Sequence, residues 1–203
     1  YLFSTSVGEI LTIAGSLAIG LPLPLLPAQI IWLNFVTDGF LDVALAMEPK
    51  ESGLMQIKFK RPKKWIVDGL MAKRIFLMAL PMAIGTLWLF REYFEADVNK
   101  AWTISLTTLA VFQWFNAWNC RSEEKSFFQM NPLSNKFLVG ATLIVILLQL
   151  LAVYNPVMQK IMHTSPLGLS DWLIIILTAA SVMAVEEVRK FFYRRKLNNL
   201  KNI

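Results

Sequence analysis

Six stretches of mostly apolar residues, each near the length a helix needs to cross a bilayer, leave this chain few folds to choose from. They lie at about 1–21, 25–47, 70–90, 101–119, 137–155 and 171–187, and a crossing helix takes about 20 residues at 1.5 Å per residue. Composition agrees: 56% of the 203 residues are hydrophobic and the mean hydropathy is +0.51, values of a multi-pass membrane protein rather than a soluble domain. The expected fold class is therefore an all-α membrane protein built as a six-helix transmembrane bundle. A single cysteine, Cys120, excludes an internal disulfide. The chain opens Tyr1-Leu2-Phe3, inside an apolar run and without a basic n-region. That start gives no sign of a signal peptide and raises the expectation of a longer parent chain.

The connections set the orientation. Pro22, Pro24 and Pro27 break the chain between the first two runs into a tight hairpin. The loop 48–69 carries Lys50, Lys58, Lys60, Arg61, Lys63 and Lys64, and Lys73 and Arg74 lie just inside the third run. The loop 120–136 carries Arg121, Lys125 and Lys136, and the tail adds Arg189, Lys190, Arg194, Arg195, Lys196 and Lys201. If these share one side, only Arg91, Lys100 and Lys160 of the 20 basic residues fall on the other. The positive-inside rule makes the crowded side cytoplasmic, with both termini there. This distribution accounts for the net charge of +6 without nucleic acid, and the partner implied is the lipid bilayer. Trp65, Trp88, Tyr93, Trp102, Trp118, Tyr154 and Trp172 fall near span ends, where an aromatic belt is expected.

The second run departs from plain hydrophobicity at its middle, where Asn34, Thr37, Asp38 and Asp42 share about a third of a helix circumference. A carboxylate at that depth costs about 2.5–3.5 kcal/mol on insertion scales. The first run has a matching stripe of Thr5, Glu9, Thr12 and Ser16, with Ser6 at its edge. As antiparallel neighbours, these two helices can bring Glu9 to face the region 34–38. Gly39 lowers helix propensity, so the backbone is expected to open there and free carbonyl oxygens. Carboxylates with amide and hydroxyl oxygens suit calcium, sodium, potassium, magnesium, manganese or protons, not copper or zinc. The plainer alternative is that these groups only tie helices together by hydrogen bonds. Three acids on facing stripes, with no Lys or Arg at their depth, favour ion handling. The third to sixth runs hold no ionisable residue in their middles and read as support helices packed through Gly85, Gly140, Ala141, Ala179, Ala180 and Ser181.

The stretch 23–39, Leu-Pro-Leu-Leu-Pro-Ala-Gln-Ile-Ile-Trp-Leu-Asn-Phe-Val-Thr-Asp-Gly, resembles the sixth transmembrane helix of P-type cation-transporting ATPases, the calcium-pump branch above all. The segment 4–9 resembles the end of the fifth helix, 116–123 the eighth, and 186–191 the cytoplasmic end of the tenth. The resemblance runs from residue 1 to about 195. It implies that the six spans are the fifth to tenth helices of a ten-helix pump, with 196–203 as a cytoplasmic tail. It further implies that Glu9, Asn34, Thr37 and Asp38 are cation ligands, with Asp38 shared between sites; Glu123 matches a further ligand, its alternative being an interfacial acid beside Arg121 and Lys125. Calcium is the leading ion, with manganese, sodium, potassium or protons as others. Ser6 stands where calcium-pump members carry Asn, and Leu41 and Asp42 where they carry Pro and a small residue. Asp42, one turn beyond Asp38, is expected to face the first helix as an added ligand or proton carrier.

The family's phosphorylated Asp-Lys-Thr-Gly segment, nucleotide domain and first four helices are not in this sequence. ATP and Mg2+ would therefore act in domains of the parent pump, and this stretch by itself should be inactive. The loop 48–69, with Pro49, Met55, Arg61 and Pro62, is similar to the family loop that meets the phosphorylation domain. Other functions compatible with midplane acids on a broken helix are a stand-alone secondary transporter or channel, or a non-transporting membrane scaffold.

Overall fold

Helix α1, Leu2–Ala18, buries Thr5, Glu9, Thr12 and Ser16, so the polar stripe spaced 4, 3 and 4 is its inward face. Gly20 ends it at φ 76°, a conformation that costs glycine little. The amide of Gly20 bonds the Leu17 carbonyl and that of Leu21 bonds Ser16, the paired closure of a Schellman motif. The Ser16 hydroxyl then donates to the Pro22 carbonyl at 2.7 Å, and Trp102 donates to that of Leu23 at 2.9 Å, fixing the proline hairpin. The computed structural model describes residues 1–49 and 69–201. The basic stretch with Lys50, Lys58, Lys60, Arg61, Lys63 and Lys64, together with Met55, Pro62 and Trp65, lies outside the described residues.

The second run forms one continuous path in three pieces: α2, Pro27–Trp32; a π-helical turn, Leu33–Asp38; and α3, Gly39–Ala46. Pro27 sits at the first helical position, where its missing N–H costs nothing. The irregularity falls before Gly39 rather than at it. Gly39 is regular helix at φ −58° and ψ −46°, so the expected opening at the glycine does not occur. A widened turn carries the polar residues instead.

Helix α4, Gly69–Phe94, contains Pro81 and runs four residues past its expected span. Helix α5, Val98–Asn119, starts at Asp97, whose carboxylate accepts the amides of Asn99 and Lys100 at 2.9 and 3.1 Å. Helix α6 is Lys136–Tyr154. Helix α7, Pro156–Met162, forms in a stretch read as loop, nucleated by Pro156 and by Asn155 accepting the amides of Val157 and Met158. Helix α8, Leu169–Lys201, continues well beyond the expected membrane stretch.

All regular structure among the described residues is helical. Among the described residues, four stretches are long and apolar enough to cross a membrane: Pro27–Ala46, Met71–Phe94, Lys136–Tyr154 and Leu169–Arg195. The sequence leads one to expect six. The difference has local causes: Leu2–Ala18 is apolar but short, and α5 is long enough but diluted by Thr, Ser, Asn and Gln.

Helix α5 is the axis of the packing. Nearly every side chain from Ala101 to Asn119 is buried, and it touches α4, α8, α6 and the second run. Helix α1 packs along α4. A Cβ on Gly8 would come 3.1 Å from Met82 Sδ, and one on Gly15 2.8 Å from Leu87 Cδ1. At the crossing of α4, α5 and α8, a Cβ on Gly85 would meet Thr178 at 2.8 Å and Phe112 at 3.0 Å. Small residues thus let three helices close on one another.

Candidate functional site

Two carboxylates from different helices are held side by side without a cation among their hydrogen-bond partners. On α1, Glu9 is buried and accepts from the Asn34 amide at 3.0 Å and from the Gln113 amide at 2.8 Å, one on each oxygen. On the π-turn, Asp38 is fully buried and accepts from the Tyr1 hydroxyl at 2.7 Å and the Thr5 hydroxyl at 2.8 Å. The two acids thus hold two neighbouring sets of hydrogen bonds, Glu9 with the π-turn and α5, and Asp38 with Tyr1 and α1. Buried carboxylates persist only when donors or ions answer them.

The π-turn explains the placement. Its wider spacing puts Asn34 against Glu9 while Thr37 and Asp38 turn inward and are buried. Asn34 itself is exposed and also donates to the Ile30 carbonyl at 2.9 Å. Ser6 is half-buried at the edge of the α1 stripe. Asp42, on α3, is half-buried one turn beyond Asp38 and within electrostatic reach of Asp38 and Tyr1. Glu123 lies in the connection after α5, 73% exposed, with its carboxylate 2.6 Å from the Arg74 guanidinium. A cavity of about 460 Å³ lies between Glu123 and Tyr1, lined by Tyr1, Ser4, Arg74, Asn116 and Glu186 among others.

Gln113 is the residue that sequence reasoning passed over, because α5 read as a support helix. It is fully buried, its amide nitrogen reaches Glu9, and its Oε1 has no hydrogen-bond partner among the described residues. The signal was present: an amide in the middle of a span without charges, on the helix face that also carries Asn116. Asn116 in turn donates to the Ser4 hydroxyl of α1 at 2.9 Å.

Among the described residues no group of three or more His, Cys, Asp or Glu side chains gathers as a metal site would. The donor set is two carboxylates with amide and hydroxyl oxygens, fewer than the six to eight oxygens a calcium ion takes. Hard cations or protons suit it; thiolate and imidazole chemistry has no part in it.

A family model described as "Cation transporting ATPase, C-terminus" matches residues 22–192. The chain is 35% identical over 179 residues to a calcium-transporting ATPase of Bacillus subtilis (strain 168), covering 87% of this chain and 20% of that protein. It is 33% identical over 199 residues to calcium-transporting ATPase 1 of Saccharomyces cerevisiae, covering 97% and 21%. With calcium-transporting ATPase 1 of Schizosaccharomyces pombe it shares 35% over 203 residues, covering 97% and 22%. The chain thus spans about a fifth of the length of these relatives.

Proposed function

The chain belongs to the cation-transporting P-type ATPases as part of their C-terminal region, and from that premise we propose that it forms the fifth to tenth membrane helices of an ATP-driven cation pump. In this reading α1, the second run, α4, α5, α6 and the apolar part of α8 are the six spans, residues 1–195 are the membrane domain and 196–203 its cytoplasmic tail. The crowding of basic residues at one end of these spans puts both termini in the cytoplasm. Cysteines at positions 95 and 125 should then label from opposite faces of the membrane; labelling from one face would refute the topology.

Glu9, Asn34, Thr37 and Asp38 would bind the transported ion, with Gln113 joining them and Ser6, Asp42 and Glu123 at the margins. The relatives' names favour Ca2+ as the cargo. The observation that carries the proposal is the pairing of Glu9 and Asp38, from separate spans, around a π-turn with an unused buried oxygen on Gln113. Two acids answered only by neutral donors can exchange those donors for a cation. ATP and Mg2+ would act in cytoplasmic domains of the parent pump, and the first four helices would complete the oxygen shell. Residues 1–203 alone should therefore show no cation-stimulated ATP hydrolysis.

The direct test is Asp38→Asn in the full-length parent. The change keeps size and removes the charge a hard cation requires. Cation-dependent phosphorylation from ATP should disappear, and normal cation affinity would reduce Asp38 to a packing residue.

A further inference from the structure

The second run is pinned to α6, α7 and the connection after α5 at its two ends, and to α1 through the π-turn between them. At its α2 end, the Gln29 amide donates to the Met162 carbonyl of α7 at 2.9 Å, and the Trp32 indole donates to Gln149 of α6 at 3.1 Å. At its α3 end, Glu48 is gripped by the guanidinium of Arg121. Nε lies 3.1 Å from both carboxylate oxygens and Nη2 3.0 Å from one of them. The same guanidinium donates to the Ser134 hydroxyl at 2.6 Å and to the Asn131 carbonyl at 3.3 Å, and lies 5.3 Å from the ring centre of Trp118. Asn135 completes the grip. Its amide donates to Glu48 at 2.7 Å and to the Ala44 carbonyl at 3.0 Å, while its Oδ1 caps α6 through the Leu138 amide at 2.9 Å. The Ala44 carbonyl also accepts the Met47 amide at 3.2 Å, so the Asn135 amide is a second donor that ties the end of α3 to the start of α6.

The Arg121 side chain is only 2% exposed. A buried guanidinium is costly unless its donors are used, and its planar fork answers a carboxylate in one orientation only. The arrangement therefore fixes where the α3 arm sits along its axis and how it is rotated. Between the two pinned arms lies the π-turn Leu33–Asp38, an irregular element whose hydrogen bonding differs from the flanking α-helix. A small slide or rotation of either arm would be taken up there and would move Asn34, Thr37 and Asp38 relative to Glu9.

We infer that Glu48, Arg121 and Asn135 form a latch of positioning residues that sets cation affinity by holding the α3 arm of the ion-binding span in register with Glu9. None of the three touches the ion: Glu48 lies about 15 Å along the helix from Asp38 at 1.5 Å per residue. The inference rests on the pump reading above. It assigns to the connection between α5 and α6 a part in ion selection as well as in packing.

The test uses the full-length parent pump and measures the calcium concentration giving half-maximal phosphorylation from ATP, alongside the level reached at saturating calcium. Arg121→Met and Glu48→Gln should each raise the half-maximal concentration about 10-fold with the saturated level retained. The double variant should be no worse than Arg121→Met alone, because both remove one interaction. Arg121→Lys, which keeps the charge and loses the fork, should give a smaller shift in a protein less disturbed in folding. Unchanged calcium dependence in these variants overturns the latch. So does a loss of the saturated level in all of them, Arg121→Lys included, with no change in half-maximal concentration, since that is the mark of a structural role. Phosphorylation of the wild-type parent that ignores calcium and other cations would instead overturn the pump reading on which the latch depends.

Discussion

The two sides of α1 are built on opposite principles. Toward α4 it lies in close contact, with Gly8 against Met82 and Gly15 against Leu87, where a methyl group at the second would have to push the end of Leu87 aside. Toward the second run the backbones approach at no more than isolated points. There the gap is crossed by polar side chains: Tyr1 and Thr5 to Asp38, and Glu9 to Asn34. The first side gains dispersion energy from many close atoms and resists change. The second side holds together by a few hydrogen bonds, the ones that a cation would replace in the proposed pump. One helix thus has a close-packed face and a face joined by polar side chains, and the difference is set by which face carries glycine and which carries oxygen.

The comparison can be broken first on the close-packed side of the bundle. Gly85→Ala puts a Cβ at 2.8 Å from Thr178 and 3.0 Å from Phe112, an overpacking that should cost about 1–3 kcal/mol. Gly140→Ala, with open space around the new methyl, is the control and should stay within about 0.5 kcal/mol of wild type. Thermal inactivation of the detergent-solubilised parent measures both, and equal inactivation temperatures would show that close approach is not what holds α4, α5 and α8.

A smaller effect is expected on the exchangeable side. Gln113→Leu removes one donor from Glu9 and the spare oxygen beside it, with little change in volume. Cation affinity should fall about 10-fold, the usual range for groups that orient a metal ligand, while stability changes little. An unaltered affinity would return α5 to a purely supporting role.

The smallest shift belongs to Asp42. It is half-buried and makes no hydrogen bond to α1 among those described, so its charge is partly screened. Asp42→Ala should weaken cation binding by about threefold or less. A loss as large as that of Asp38→Asn would make Asp42 a ligand of equal rank.

Much of this was legible in the chain itself. Apolar runs of about 20 residues dictate helices in a membrane, because hydrocarbon offers no partner to an unpaired backbone group. The stripe of Thr5, Glu9, Thr12 and Ser16, and the cluster from Asn34 to Asp42, could be read because helical period maps sequence spacing onto a face. Those are local rules, and they held for α1, α4, α6 and the apolar part of α8. They erred by a few residues at ends such as Phe94, and they missed α7, where the caps of Asn155 and Pro156 act within a loop too short to show periodicity.

What sequence spacing could not supply was the choice of partners across the fold. Glu123 has Arg74 beside it from α4, a residue 49 positions away, whereas Gln113 reaches Glu9 across 104 positions. Neither pairing follows from period or composition, since every buried polar group needs a partner and many are available in principle. The same holds for the site of helix irregularity. Glycine propensity favoured Gly39, but the packing of α2 and α3 against α5, α6 and α7 put the wide turn at Leu33–Asp38. The sequence by itself determined which segments are helical, which faces are polar and which residues could hold a hard cation. Only the tertiary structure decided which acids meet, which amide joins them and where the span that carries them is gripped, because those depend on distances between helices that no local rule contains.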